Sequence, residues 1–226
     1  MKQLMLALLC SSLFNCTLQA QTGCISGNCK DGTGTYTYIN GDKYTGEFKN
    51  YKINGKGTFV YASGTWKGCQ YTGEFKDNKL EGTGIFTYAN GDKYEGQFSG
   101  NKLSGTGTFT YANGDVYTGD FQNNECNGKG TFTYATGKYQ GATVTGDWKN
   151  NKLNGTATFL GKDGEKYEGE WKNNLKEGKG TLHFANGSTY TGDWKNDMFN
   201  GEGTFTYANG KVVSGTWKDN KPVERK

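Results

Sequence analysis

The chain has 226 residues, 33% of them apolar, 15% aromatic and 21% charged, with a formal net charge of +4. That aromatic content excludes a disordered chain, whose composition is poor in such residues. Acidic and basic residues interleave along the whole sequence, without the concentrated basic stripe that nucleic-acid binding needs.

Residues 1–20 stand apart from the rest. Lys2 supplies a short positive region, Leu4 to Leu9 an apolar core, and Leu18-Gln19-Ala20 a cleavage site. The apolar run is too short to span a bilayer, so it reads as a secretory signal peptide. Cleavage near Ala20 predicts a secreted or periplasmic protein. The alternative is a lipid anchor at Cys16, which follows Leu13-Phe14-Asn15. Residues 21–43 form an N-terminal cap and a partial repeat. Cys24 and Cys29 bracket a Gly-containing turn there. A disulfide between them is expected in an oxidising compartment; two free thiols or half of a metal site are the alternatives. No metal site is assigned.

From residue 44 a period of 23 residues takes over, marked by a Tyr-x-Gly anchor at Tyr44, Tyr71, Tyr94, Tyr117, Tyr167 and Tyr190, with Val144 and Val213 in the same role. Residues 44–212 hold seven repeats, and 213–226 a partial repeat and tail. A short fixed period means that each unit is too small to bury its apolar face alone, so neighbours stack. Each unit alternates apolar or glycine residues with polar ones in two runs, the period of half-buried strands. No stretch after residue 20 has a helical period. The fold class is therefore all-β: an elongated, single-layer, twisted antiparallel meander of stacked hairpins.

Two connections join the strands. Asn-Gly pairs such as Asn90-Gly91 and Asn113-Gly114 give the strongest short hairpin signal, because both residues tolerate positive φ. Lys149-Asn150-Asn151-Lys152 and its equivalents read as longer polar loops. One face collects the anchor Tyr, its Gly and a following Phe or Trp, then two Gly, a Phe and a Tyr from the second run. The glycines are read as room for the neighbouring rings. The other face is Thr, Glu, Asp and Lys. Units one and four carry four extra residues each, beginning at Trp66 and Tyr139, 73 residues apart. Cys126 holds a position that is Ile53, Leu80, Leu103, Leu153 or Phe199 elsewhere, and is expected to be a small buried hydrophobe.

Tyr94-Glu95-Gly96-Gln97-Phe98 followed by Gly105-Thr106-Gly107-Thr108-Phe109-Thr110-Tyr111-Ala112-Asn113-Gly114 resembles the MORN repeat (membrane occupation and recognition nexus). The likeness runs from about Asp31 to Lys221. It implies an aromatic-lined concave face and a role in binding or scaffolding rather than catalysis. It also implies a partner peptide or helix along the groove, or a lipid headgroup. Val144, Val213, Ala157 and Gly161 depart from the pattern, so unit five should be poorer in aromatics.

An enzyme is not expected. The single His183 alternates outward on a strand, and no Cys-His or Ser-His-Asp set can be assembled. The acids after each anchor glycine, such as Glu74, Asp147 and Asp193, read as a solvated outer row partly offset by Lys129 and Lys179. The Gly-x-Gly runs precede no helix and cannot cradle phosphate. No cofactor is expected. The expected function is extracytoplasmic protein binding in an aromatic groove, or self-association. The groove residues are Tyr88, Tyr94, Phe98, Phe109, Tyr111 and Tyr117, with Trp66 and Tyr139 as lips. Polysaccharide or lipid-headgroup binding is the alternative. Even charge spacing disfavours lipid.

Overall fold

The computed structural model describes residues 21–224; the leader read at residues 1–20, with Cys16, lies outside them. Two compact units are distinguished. The N-terminal unit comprises residues 21–112 and 120–125, the C-terminal unit residues 113–119 and 126–224.

The N-terminal unit contains β1 (Gln21–Gly27), β2 (Gly32–Tyr38), β3 (Lys43–Lys49), β4 (Lys52–Val60), β5 (Gln70–Lys76), β6 (Lys79–Thr87), β7 (Lys93–Ser99) and β8 (Lys102–Thr110). Each pairs antiparallel with the next. Strand β9 (Val116–Gln122) is divided between the units. The C-terminal unit continues with β10 (Glu125–Thr133), β11 (Thr143–Lys149), β12 (Lys152–Leu160), β13 (Lys166–Lys172) and β14 (Leu175–His183). It ends with β15 (Thr189–Lys195), β16 (Met198–Thr206), β17 (Val212–Lys218) and β18 (Lys221–Pro222). From β10 onward these too pair in chain order. The all-β meander of stacked hairpins is thus what forms. Among the described residues helix is confined to two three-residue 3₁₀ turns, Gly64–Trp66 and Gly137–Tyr139, inside the two insertions. Alternation had hidden them, since a single turn has no period to read. Among the described residues no helix is long and apolar enough to cross a membrane.

The two connections are the reverse of the expectation. The tight two-residue turn is Asn150-Asn151, with φ of 49° and 63° and Lys149 paired to Lys152. Both central residues are left-handed, as a type I′ turn demands. The Asn-Gly sites are three-residue loops instead. Gly91 N–H donates to Tyr88 C=O at 3.0 Å, and Gly91 takes φ 92°, a type I turn closed by a left-handed glycine.

The asparagines of the tight turns also lock neighbouring repeats together. Asn101 Oδ1 accepts the N–H of Leu80 at 2.7 Å, while Asn101 N–H donates to Leu80 C=O at 3.1 Å. The same two-bond clamp joins Asn151 to Cys126 and Asn220 to Phe199. Each side-chain amide thus satisfies a strand N–H of the preceding hairpin that its own turn cannot reach.

Hairpins β3–β4, β5–β6, β7–β8, β11–β12, β13–β14 and β15–β16 each contain a bulge. Gly96 pairs with Gly107, but two residues later Phe98 pairs with Leu103, so the second strand carries extra residues. The first glycine of each Gly-x-Gly turns that corner; Gly178, for example, has φ 69°. Only the second glycine makes room for a ring. A Cβ at Gly107 would overlap the Tyr94 ring. These second glycines pair with anchor glycines across strand after strand: Gly46, Gly57, Gly73, Gly84, Gly96 and Gly107 in the N-terminal unit.

Candidate functional site

The anchor tyrosine lies flat over this glycine lane. Tyr94 has 0% of its surface exposed. It meets Phe98 of its own hairpin edge-on at 5.1 Å and Phe121 of the next at 5.0 Å, a favoured aromatic geometry. Its hydroxyl donates to Gln97 C=O at 3.0 Å. Tyr44, Tyr71, Tyr167 and Tyr190 repeat that bond to the residue three places on. The accepting carbonyl sits beside the bulge. Tyr-x-Gly-x is therefore one device: a ring over glycine, and a hydroxyl that closes the bulge. Burial drives the phenols upward, Tyr190 to about 12 and Tyr44, Tyr71 and Tyr167 further.

The predicted groove is corrected by this packing. Tyr94 and Tyr117 are fully buried, Phe98 and Phe109 nearly so. They form the core of their units and present nothing to a partner. Of the six, only Tyr88 and Tyr111 are half-exposed. They belong to a second lane, built from the second strands and the loops after them. There Phe59 and Tyr61 lie 4.6 Å apart, Phe86 and Tyr88 4.6 Å, Tyr88 and Phe109 5.7 Å, and Phe109 and Tyr111 4.7 Å. Trp66, also half-exposed, lies across this lane, 5.7 Å from Phe86 and 6.4 Å from Tyr88. In the C-terminal unit Tyr139 holds the matching place, 5.8 Å from Phe159.

The acids after the anchor glycine are not merely a solvated row. Glu74 accepts the Thr83 hydroxyl at 2.7 Å, Asp147 the Thr156 N–H at 2.9 Å, Glu170 the Lys179 N–H at 2.9 Å and Asp193 the Glu202 N–H at 2.8 Å. They cap the N–H groups that the bulge leaves unpaired. Lys129 and Lys179 reach Asp147 and Asp193 at 2.5 Å. These lysines are the largest influence holding the two carboxyls below their usual range, and the Thr83 hydroxyl does the same for Glu74. His183 is exposed on β14, and Cys126 is fully buried in its apolar slot.

One half-buried cation was missed in the sequence. Lys176 stands in the apolar slot of its repeat, because Leu175 and Lys176 are exchanged relative to Lys152-Leu153. Its ammonium lies 4.7 Å from the Tyr167 ring and 5.0 Å from that of Trp194, and burial lowers its pKa. Among the described residues no group of three or more His, Cys, Asp or Glu is placed to hold a metal ion. At the N-terminal end Cys24 and Cys29 are joined by a disulfide.

A repeat of hairpins with rings over glycine defines the class, and comparison with known families gives the name. The MORN repeat model matches residues 23–43, 44–66, 71–93, 94–116, 117–139, 145–166, 167–189 and 190–212. The chain belongs to the MORN-repeat family. The match at 23–43 makes a repeat of the segment read as partial. No curated protein matches the chain in sequence. Among solved structures it is similar to the TCP domain of Drosophila melanogaster SAS-4 bound to a proline-rich motif of Ana2, at 18% identity and TM-score 0.39, over 60% of this chain and 73% of that one. The TCP10c domain of Drosophila melanogaster Sas-4 matches at 14% identity and TM-score 0.36, over 82% and 99%. Virginiamycin B lyase of Staphylococcus aureus matches at 9% and 0.20, over 88% and 74%. At such scores these likenesses carry no functional argument.

Proposed function

We propose that this chain is a non-enzymatic, extracytoplasmic binding scaffold whose outer aromatic lane in the N-terminal unit receives a peptide or helix of a protein partner. The observation that carries this reading is the unbroken succession of ring contacts from Phe59 to Tyr111, with Trp66 across it and the Tyr88 and Tyr111 rings half-exposed. Membership of the MORN-repeat family supports a binding or scaffold role. The leader-like residues 1–20 and the Cys24–Cys29 disulfide support the compartment.

The test is partner capture by cross-linking in the native cell, comparing the wild type with a Tyr88→Ser/Tyr111→Ser variant whose fold is verified by circular dichroism. Loss of a specific cross-linked protein is the expected result. Undiminished capture by the folded variant would remove the lane from consideration. Binding to glycan or to lipid vesicles that depends on the same two residues would replace the protein partner with the alternative ligand class. N-terminal sequencing of the protein from its source should begin near Gln21; an intact Met1 would overturn the extracytoplasmic part.

A further inference from the structure

Residues 64–92 and 137–165 are two copies of one structure, offset by 73 residues. Their backbones match bond for bond. Gly68 N–H donates to Tyr61 C=O at 2.8 Å, and Gly141 N–H to Tyr134 C=O at 2.8 Å. Tyr88 N–H donates to Asp92 C=O at 2.9 Å, and Gly161 N–H to Glu165 C=O at 2.7 Å. Asn90 Oδ1 accepts the Asp92 N–H at 3.0 Å, and Asp163 Oδ1 the Glu165 N–H at 3.0 Å. The insertion ring keeps its place as well. Trp66 meets Phe86 at 5.7 Å and 82°, and Tyr139 meets Phe159 at 5.8 Å and 83°.

Among the side chains that differ, one bears on the space beside the insertion ring. Tyr88 fills the space beside Phe86 and Trp66, whereas its counterpart is Gly161. Gly161 is not among the glycines of positive φ, so its backbone does not call for glycine. A Cβ at that position would meet the Asp163 carboxylate at 2.7 Å and the Glu165 carbonyl at 3.3 Å, so the carboxylate would swing aside and the loop backbone would give slightly. What the substitution creates is room: a cleft of about 610 Å³ opens between Tyr139, Phe159 and the loop at Gly161. That lies within the range of small-ligand clefts, roughly 300–1,000 Å³. Tyr139 and Phe159 supply its aromatic wall, and Lys138, Lys162, Asp163 and Glu165 line it as well. Two positive and two negative groups at the rim suit a neutral ligand with one polar tip better than a charged one.

We propose that this cleft binds a phenolic ring, which takes the place that the Tyr88 side chain holds in the other copy. The ring lies beside the Tyr139–Phe159 pair, over Gly161, and its hydroxyl points to the charged rim. The source is either a free phenol or a tyrosine side chain of a polypeptide. The site lies in the C-terminal unit and does not depend on the lane of the N-terminal unit.

Calorimetric titration of the full chain with 4-ethylphenol and, separately, with N-acetyltyrosinamide tests this. Saturable binding of about one equivalent is expected, with a Kd of ~1 mM or tighter for so few heavy atoms. Tighter binding of the phenol points to a free ligand, and tighter binding of the amide to a polypeptide. Gly161→Tyr fills the cleft from within. It should keep or raise Tm and weaken binding at least tenfold. Tyr88→Gly should open a second site beside Trp66 and raise the stoichiometry toward two, with a change in Trp66 fluorescence. No saturable binding by the wild type would overturn the proposal. So would unchanged affinity in folded Gly161→Tyr, which decides the matter even where Tyr88→Gly fails to fold.

Discussion

The two units solve one packing problem with different rings. After the anchor glycine the N-terminal unit uses Phe48, Phe75, Phe98 and Phe121, whereas the C-terminal unit uses Trp148, Trp171, Trp194 and Trp217. Each of these indoles donates its N–H to a lane carbonyl of the preceding hairpin: Gly130, Ala157, Gly180 and Gly203, at 3.1–3.2 Å. The phenylalanines fill the same position with a ring that carries no N–H to donate. The C-terminal unit therefore adds an indole bond to the asparagine clamp found in both units. It is also the less regular of the two. Val144 replaces an anchor Tyr, Ala157 a lane Gly and Gly161 an outer Tyr, all in one repeat. The first two changes belong together. A lane Cβ collides with the ring above it, as at Gly84 beneath Tyr71, and Val144 carries no ring to collide with. Regularity here is a steric pact between two residues of a hairpin, and both members change or neither does.

The largest effect should come from breaking that pact. Gly84→Ala, at the position equivalent to Ala157, should destabilise the N-terminal unit by about 3 kcal/mol or more, because its Cβ enters the Tyr71 ring. Ala157→Gly should cost ~1 kcal/mol or less. Adding Tyr71→Val to Gly84→Ala should recover part of the loss, and a double-mutant cycle in urea measures the coupling. Strictly additive losses would show that ring and glycine are independent.

Next in size is the hydroxyl that closes the bulge. Tyr94→Phe leaves the Gln97 carbonyl without its partner and should cost about 1–3 kcal/mol. Tyr207→Phe, at a ring 42% exposed, should stay within about 0.5 kcal/mol in the same denaturation assay. Equal effects would mean that the anchor hydroxyl has no structural part.

The ring difference itself can be sharpened in both directions. Trp194→Phe removes the bond to Gly180 and some volume, and should cost roughly 1–2 kcal/mol. Phe98→Trp in the N-terminal unit should offset part of its added bulk by reaching the carbonyl of Gly84. Thermal unfolding followed by indole fluorescence reports the first change, and circular dichroism both.

The smallest effect is one of pH. Asp147 and Asp193 have folded pKa values below their unfolded ones, chiefly through Lys129 and Lys179. They therefore contribute stability above the ordinary aspartate pKa of about 4. That contribution is lost as pH falls through the lowered folded values. Lys129→Gln/Lys179→Gln should move the acid unfolding midpoint of the C-terminal unit to higher pH, and high salt should blunt the shift in the wild type. An unmoved midpoint would make the two ion pairs ornamental.

Period, strand patterning and the glycine–ring relation were legible in the sequence, because a repeat displays the same choice many times over. What the repeat could not reveal is which of two similar turns is the tight one. Asn-Gly carries the stronger local signal, yet Asn150-Asn151 makes the two-residue turn, since its asparagines also clamp the hairpin before. Nor could alternation separate a ring that lies flat beneath its neighbours from one that stands beside them. Tyr94 and Tyr111 share a face in the pattern, and only packing buries the first while leaving the second half-exposed. Lys176 escaped notice because exchanging Leu175 and Lys176 preserves composition while reversing which residue points inward.

The asparagine clamp gives the array a direction. Each hairpin is finished by the one that follows it, as a roof tile is held by the next course. The segment 213–226 therefore has a task beyond being the last fragment: its Asn220 supplies the acceptor for Phe199 N–H at 2.8 Å and donates back to the Phe199 carbonyl. Shortening from the C-terminal side strips a neighbour of its closing pair wherever the cut falls. Lengthening is clean only when the added hairpin brings its own clamping side chain, an asparagine or, as at Asp197, an aspartate. Copy number in such a chain can then change by whole hairpins, provided that each hairpin keeps a following turn to close it.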